Sequence, residues 1–287
     1  MDAPEVVVDC PCRTGEGPLW HPREESLYWM DIPNGHLFQY SARDGSYARV
    51  FEGPVLGAAT LQFDGALLLL GVHGAVIRWH EGRATPLMRV DAVRGTRFND
   101  AIADGTGRIL SGTMPFPGRP SALYAIERDG TSRVVVDRLG QSNGMALGSD
   151  GRTLYHADTR ARMVRAWEYD VDIGEIGSSR IVASFTDGDA APDGMAMDAE
   201  GGLWVALWGG GCVVRLDDAG AISARIDLPT RLTSSVAFGG ADLGDLYITT
   251  AGGDDRAANG SLAGSLFIMR PGIVGLPRHC SALAPSR

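Results

Sequence analysis

The chain has 287 residues, a formal net charge of −9 at neutral pH and a pI near 5.1. It carries no basic stripe, which argues against nucleic acid and anionic membrane as partners. No apolar run approaches the roughly 18 residues of a bilayer span, and 39 glycines with 15 prolines weigh against long helices and suit many turns.

The N-terminal residues Met1-Asp2-Ala3-Pro4-Glu5 are acidic and lack the basic and apolar regions of a secretory signal, so a cytoplasmic setting is expected. The first element is the apolar run Val6-Val7-Val8. After it comes a repeated unit: an apolar strand, a tight turn, then a second strand that opens with Leu or Ile. The second strands begin at Leu27, Leu67, Ile109, Leu154, Leu203 and Leu246, at intervals of 40 to 49 residues. A period of roughly 40–50 residues with about four strands per unit is the signature of a β-propeller blade. Asp64-Gly65, Asp129-Gly130, Asp150-Gly151 and Glu200-Gly201 supply the positive-φ positions that tight hairpins need. The flanking runs are short and rich in Val, Ile, Leu, Tyr and Trp, as strands are. Six units predict an all-β fold, a six-bladed β-propeller, with residues 1–287 as one domain. The last unit ends near Ser265-Leu266-Phe267-Ile268-Met269 and lacks an outer strand. The N-terminal run is expected to supply it, closing the ring and hiding two sheet edges.

One register of the unit carries oxygen-bearing side chains. Glu16 and Asn143 stand 11 residues before their second-strand anchors, and Asn99 and Asp193 stand 10 before theirs. Each is followed by Gly or Asp. Any one alone reads as turn chemistry or a strand start. Together they open inner strands, and arranged around an axis they converge. Carboxylates and amide carbonyls that converge make a site for a hard divalent cation.

Other motifs are weaker. Gly140-Gln141-Ser142-Asn143-Gly144 has the spacing of a serine-hydrolase elbow, but that elbow needs strand–turn–helix, and here a strand, a turn and another strand follow. Gly209-Gly210-Gly211 has neither the Lys-Ser/Thr nor the helix of a phosphate loop and reads as a hairpin. Asp187-Gly188-Asp189 lacks the spacing of a calcium loop and reads as a polar connection. No pair among the six histidines has zincin spacing; His73 and His156 are read as structural or channel-lining. Cys10, Cys12, Cys212 and Cys280 have no partner pair at zinc-finger spacing and are expected to be reduced thiols.

Several segments together resemble the SMP-30/gluconolactonase/regucalcin-like family of six-bladed propellers. They are Gly15-Glu16-Gly17-Pro18, Arg97-Phe98-Asn99-Asp100, Ser111-Gly112-Thr113-Met114, Ser142-Asn143-Gly144, Pro192-Asp193-Gly194-Met195, Leu203-Trp204-Val205-Ala206 and Phe238-Gly239-Gly240. The resemblance spans nearly the whole chain. It implies hydrolysis of a sugar lactone with one divalent cation, held by Glu16, Asn143 and Asp193. Asp193 matches the position proposed as general base, and Arg97 and Asn99 match substrate-binding positions. Oxygen ligands point to Ca²⁺ first, with Mg²⁺, Mn²⁺, Zn²⁺ and Fe²⁺ as alternatives. The partner implied is a small-molecule sugar lactone; a closed ring has no obligatory need of a protein partner, so a monomer is expected. The segment Pro115–Pro120 is shorter than the lid of some relatives and has no acid, so their substrate preference does not transfer. The run Leu207-Trp208-Gly209-Gly210-Gly211 is closer to bacterial sugar-acid lactonases, which implies a catabolic role. Two other readings stand beside this one: a calcium- or ligand-binding propeller without turnover, and a metal-dependent esterase or phosphotriesterase.

Overall fold

Six inner strands surround a central channel in the computed structural model, which describes residues 3–284. They are Gly15–His21, Leu56–Leu61, Phe98–Ala103, Ser142–Leu147, Ala191–Met197 and Thr233–Gly239. Each begins a four-stranded antiparallel sheet, and the six sheets are the blades, numbered here 1 to 6 in that order. The expected ring is therefore present, and the fold is an all-β six-bladed propeller. Glu5–Val8 pairs antiparallel with Leu266–Met269 and forms the outer strand of blade 6. The first and last strands of the chain thus share one sheet, and the edge of Leu266–Met269 is covered by Glu5–Val8.

Local chemistry accounts for the hairpins. Gly65, Gly130, Gly151 and Gly201 all have positive φ, between 64° and 92°, which a residue with a Cβ adopts only under strain. Gly209-Gly210-Gly211 joins two strands of blade 5, and Asp187–Asp189 lies in the connection between blades 4 and 5, both as expected. Helix is confined to the single turn Arg256–Asn259 and the 3₁₀ turn Asp91–Val93 among the described residues.

The core is divided among the blade interfaces. Six clusters of buried apolar side chains each lie between two neighbouring blades, including the pair 6 and 1 across the closure. At that closure Trp20 stacks on Tyr247 with ring centroids 5.9 Å apart. Apolar contact around the whole ring holds the inner strands at fixed distances, and this gives the channel its shape.

A feature without a sequence signal follows the last strand. Residues 273–284 run across the end of the channel towards which the inner strands point. Backbone hydrogen bonds tie this strap to blade 5 (Leu276 N to Met197 O, 3.0 Å) and blade 6 (Gly275 N to Leu243 O, 2.8 Å). It then reaches blade 2 (Ser281 N to Leu61 O, 2.8 Å) and blade 3 (Ala282 N to Gly107 O, 2.9 Å). The Gln62 side chain clamps it from both sides, with Nε2 donating to Leu283 O at 2.7 Å and Oε1 accepting from Ser281 Oγ at 2.9 Å.

Candidate functional site

The inner strands of all six blades break register near their first residues. The breaks fall between Glu16 and Leu19, Phe98 and Ala101, Ser142 and Met145, and Pro192 and Met195 in the four blades that carry the candidate residues. Blades 2 and 6 break in the same place, around Gly57 and Ser234. A bulge re-aims side chains that a regular strand would send to alternate faces. In this way Glu16, Asn99, Asn143 and Asp193 reach the same end of the channel.

The glycines beside them permit close approach of neighbouring blades. A Cβ on Gly144 would lie 2.0 Å from the Asp193 carbonyl oxygen, and one on Gly194 would lie 1.8 Å from Ser235 Oγ. Neither glycine has positive φ. The Asn-Gly and Asp-Gly pairs are therefore strand contacts between blades, and they do not make turns.

Asn99, Asn143 and Asp193 are buried, and Glu16 and Arg97 are half-buried. Asn143 donates from Nδ2 to Thr159 Oγ1 at 3.0 Å, and Thr159 Oγ1 donates to Pro192 O at 2.8 Å. This relay fixes the Asn143 amide against the residue that precedes Asp193. Arg97 donates from Nη1 to Phe98 O at 2.8 Å and to Asn99 Oδ1 at 2.9 Å. Asn99 in turn donates from Nδ2 to Ser142 O at 2.9 Å, across the boundary of blades 3 and 4.

The electrostatics are those of crowded acids. Loss of water and the neighbouring Asp100 push the Glu16 carboxyl up to about 8. Loss of water, with Glu16 and Asp100 near it, raises the Asp193 carboxyl well above the usual carboxylate range. Desolvation likewise brings Asp100 up to about 6. Two cations act on the group, Arg97 on Glu16 and Asp193, and Arg278 on Asp100; burial lowers Arg97 to about 10, while Glu16 and Asp193 favour its charged form. Asp193 Oδ1 is buried and accepts no hydrogen bond. Buried carboxyl oxygens are costly unless something pairs with them. A divalent cation would satisfy that oxygen and relieve the repulsion with Glu16, so the donor set fits one. Among the described residues no three Asp, Glu, His or Cys side chains cluster tightly enough to hold an ion by themselves. A third donor would have to be an uncharged oxygen, from an amide, the backbone or water.

Asp100 is a third acid of the site, not expected from the sequence. Its signal was present in Arg97-Phe98-Asn99-Asp100, but adjacent strand residues ordinarily face opposite ways. Of the two roles expected for His156, structural or channel-lining, the structure gives the structural one. His156 lies on the second strand of blade 4, fully buried, with Nε2 2.7 Å from Ser142 Oγ. This Ser–His contact is not a nucleophile pair. Ser142 is itself fully buried, packed so closely on blade 3 that a Cβ on Gly112 would lie 2.1 Å from its Oγ. His156 Nδ1 has no partner, so no acid orients the ring. His73 sits in the turn between the second and third strands of blade 2, with positive φ. All four cysteines are free thiols; Cys10 and Cys12 have sulfurs 3.4 Å apart, beyond bonding distance.

Residues 14–252 match the family model described as SMP-30/Gluconolactonase/LRE-like region. The chain is 40% identical over 282 residues to pentonolactonase XacC of Haloferax volcanii, covering 96% of this chain and 97% of that one. It is 34% identical over 281 residues to regucalcin of Gallus gallus, covering 93% and 94%. The solved structure of a calcium-binding protein, regucalcin, from Agrobacterium tumefaciens superposes with a TM-score of 0.87 at 25% identity, over 98% of this chain and 97% of that one. No helix among the described residues is long and apolar enough to cross a membrane. With the match extending over most of the chain and the relatives over nearly all of it, the protein belongs to the SMP-30/gluconolactonase/LRE-like family.

Proposed function

We propose that this protein is a metal-dependent sugar lactonase, opening an aldonolactone to the aldonic acid in sugar catabolism. The observation that carries the reading is the buried, unpaired oxygen of Asp193 beside a second acid, Glu16, at one mouth of the channel. The near-full-length similarity to pentonolactonase supports the substrate class.

Glu16, Asn143 and Asp193 would hold the cation. An all-oxygen donor set favours Ca²⁺, Mg²⁺ or Mn²⁺ over thiophilic ions, and the similarity to a calcium-binding regucalcin favours Ca²⁺. When bound, the ion supplies Lewis acidity at the lactone carbonyl oxygen. Arg97 presents the donors that its contacts with Phe98 O and Asn99 leave free, and these orient substrate hydroxyls and ring oxygen. Asn99 fixes Arg97 and has one further amide hydrogen for the substrate. Asp193 takes a proton from the attacking water as that water's oxygen bonds to the carbonyl carbon. The ring C–O bond then breaks, and the departing ring oxygen takes that proton from Asp193 to become a hydroxyl, which returns the carboxylate.

A panel of pentono- and hexonolactones, an aryl ester and a phosphotriester, each assayed with added Ca²⁺ or Mn²⁺, tests the reading. Acid release from at least one sugar lactone well above its spontaneous opening is the expected result. Turnover of the ester or phosphotriester alone would make the protein a different hydrolase, and no turnover with tight Ca²⁺ binding would make it a binding module.

A further inference from the structure

The channel has a second compartment, at the opposite end from Glu16 and Asp193. A cavity of about 390 Å³ lies there, lined by residues from all six inner strands and floored by Leu276–His279 of the strap. That volume falls in the range of small-molecule pockets, roughly 300–1,000 Å³. Its walls are apolar and adaptable, with Met145, Met195 and Met197 on one side and Leu19, Ala59 and Phe238 on the other.

The polar groups facing this chamber are mostly committed elsewhere. The Thr60 hydroxyl lies 3.0 Å from Ser281 Oγ. The Asp150 carboxylate accepts three bonds from its own turn, from Arg152 N at 2.8 Å, Thr153 N at 3.0 Å and Thr153 Oγ1 at 2.9 Å. Arg278 is different. It lines the chamber, and among the described residues it donates no hydrogen bond and makes no ion pair. Surrounding protein lowers its pKa from the usual arginine value, with the charge of Asp100 alone opposing. Its side chain is exposed to the chamber, so its five donors are left to water or to an anion that displaces that water. The strap that carries it is pinned on blades 2, 3, 5 and 6, so Arg278 is held over the chamber by a built element.

We propose that this chamber binds an organic carboxylate with an apolar tail, its head on Arg278 and its tail against the methionines. A carboxylate suits the planar guanidinium fork, which can donate two parallel bonds. An apolar tail suits walls that offer no other free hydrogen-bonding partner apart from His279 and Ser149. The ligand would occupy a different compartment from the lactone, and the proposal does not depend on the lactonase reading.

Octanoate is the probe. The metal-loaded protein, with its methionine methyl groups ¹³C-labelled, is titrated with octanoate, acetate and octanol. Octanoate should shift the methyl signals of Met145, Met195 and Met197 in a saturable, one-to-one manner, and acetate should not. By calorimetry, Arg278→Gln should weaken octanoate binding by roughly tenfold or more, the scale of a lost charge-assisted hydrogen bond, and leave octanol binding unchanged. Ala59→Phe, which fills the chamber, should abolish both. Unmoved methyl signals in the wild-type protein would overturn the proposal without recourse to any variant. Equal octanoate affinity in Arg278→Gln and wild type would overturn the role of the guanidinium.

Discussion

At the scale of single residues the site separates three roles. Asp193 has one carboxyl oxygen with no protein partner and a neighbouring acid that resists its ionisation. In the proposed function it is both a ligand and a base. Asp193→Asn keeps an oxygen for the ion but loses the base, so kcat at saturating cation should fall about 10²–10⁴-fold. Asn143→Ala removes a ligand alone, and excess cation should restore part of its activity. Measuring kcat for both at saturating metal, corrected for spontaneous opening, decides this. Near wild-type kcat in Asp193→Asn would leave that residue as a ligand only. Arg97 is fixed by Asn99 Oδ1 and Phe98 O and touches neither Asn143 nor Asp193 through a hydrogen bond. Arg97→Ala should therefore cut kcat/KM by roughly 10- to 1,000-fold, with metal content by elemental analysis unchanged. Wild-type kinetics would make Arg97 structural.

At the scale of elements, the register breaks do the placing. They let Asn99 and Asp100, adjacent in one strand, both act on the site, and they put glycines where neighbouring blades touch. Gly144→Ala would drive a Cβ into the Asp193 carbonyl oxygen. A loss of roughly 1–3 kcal/mol in unfolding free energy is expected, the range for overpacking, together with weaker metal binding because Asp193 must move. Unchanged denaturant midpoints and metal affinity would contradict this account of the glycine. Behind the inner strand of blade 4, burial depresses His156 from 6.5 to about 4. The unfolded chain protonates it at higher pH than the folded one, so stability is whole above about pH 6.5 and is lost as pH falls towards 4. The shift corresponds to roughly 3 kcal/mol. In urea titrations His156→Gln should show a shallower loss of stability across that window than wild type; parallel curves would rule His156 out as the source.

The ring was legible because its signals are local: the 40- to 49-residue spacing of Leu27, Leu67, Ile109, Leu154, Leu203 and Leu246, and the acid-Gly turns. The convergence of Glu16, Asn99, Asn143 and Asp193 followed from the same period. The meaning of Asn-Gly and Asp-Gly was not legible, since a close approach between blades and a turn select the same dipeptides. Which of its two expected roles His156 plays was not legible, because a lone histidine carries no sign of whether its side chain faces the channel or a blade interface. The strap and Arg278 left no trace because nothing periodic marks them. Ser281 meets Leu61, and Ala282 meets Gly107, across most of the chain's length.

At the scale of the whole molecule, the propeller holds four blades' worth of oxygen donors at one mouth of its channel and closes the other with the strap. Burying Glu16 and Asp193 side by side costs stability that a cation bound only by the folded protein would return by mass action. The most direct measurement is therefore made on protein stripped by a chelator and shown by elemental analysis to be metal-free. Sugar-lactone hydrolysis and melting temperature are followed as Ca²⁺ or Mn²⁺ is added back. The account predicts that stripped protein lacks activity and melts lower, and that both recover together as one ion binds per chain. Full lactonase activity in the metal-free protein would contradict it.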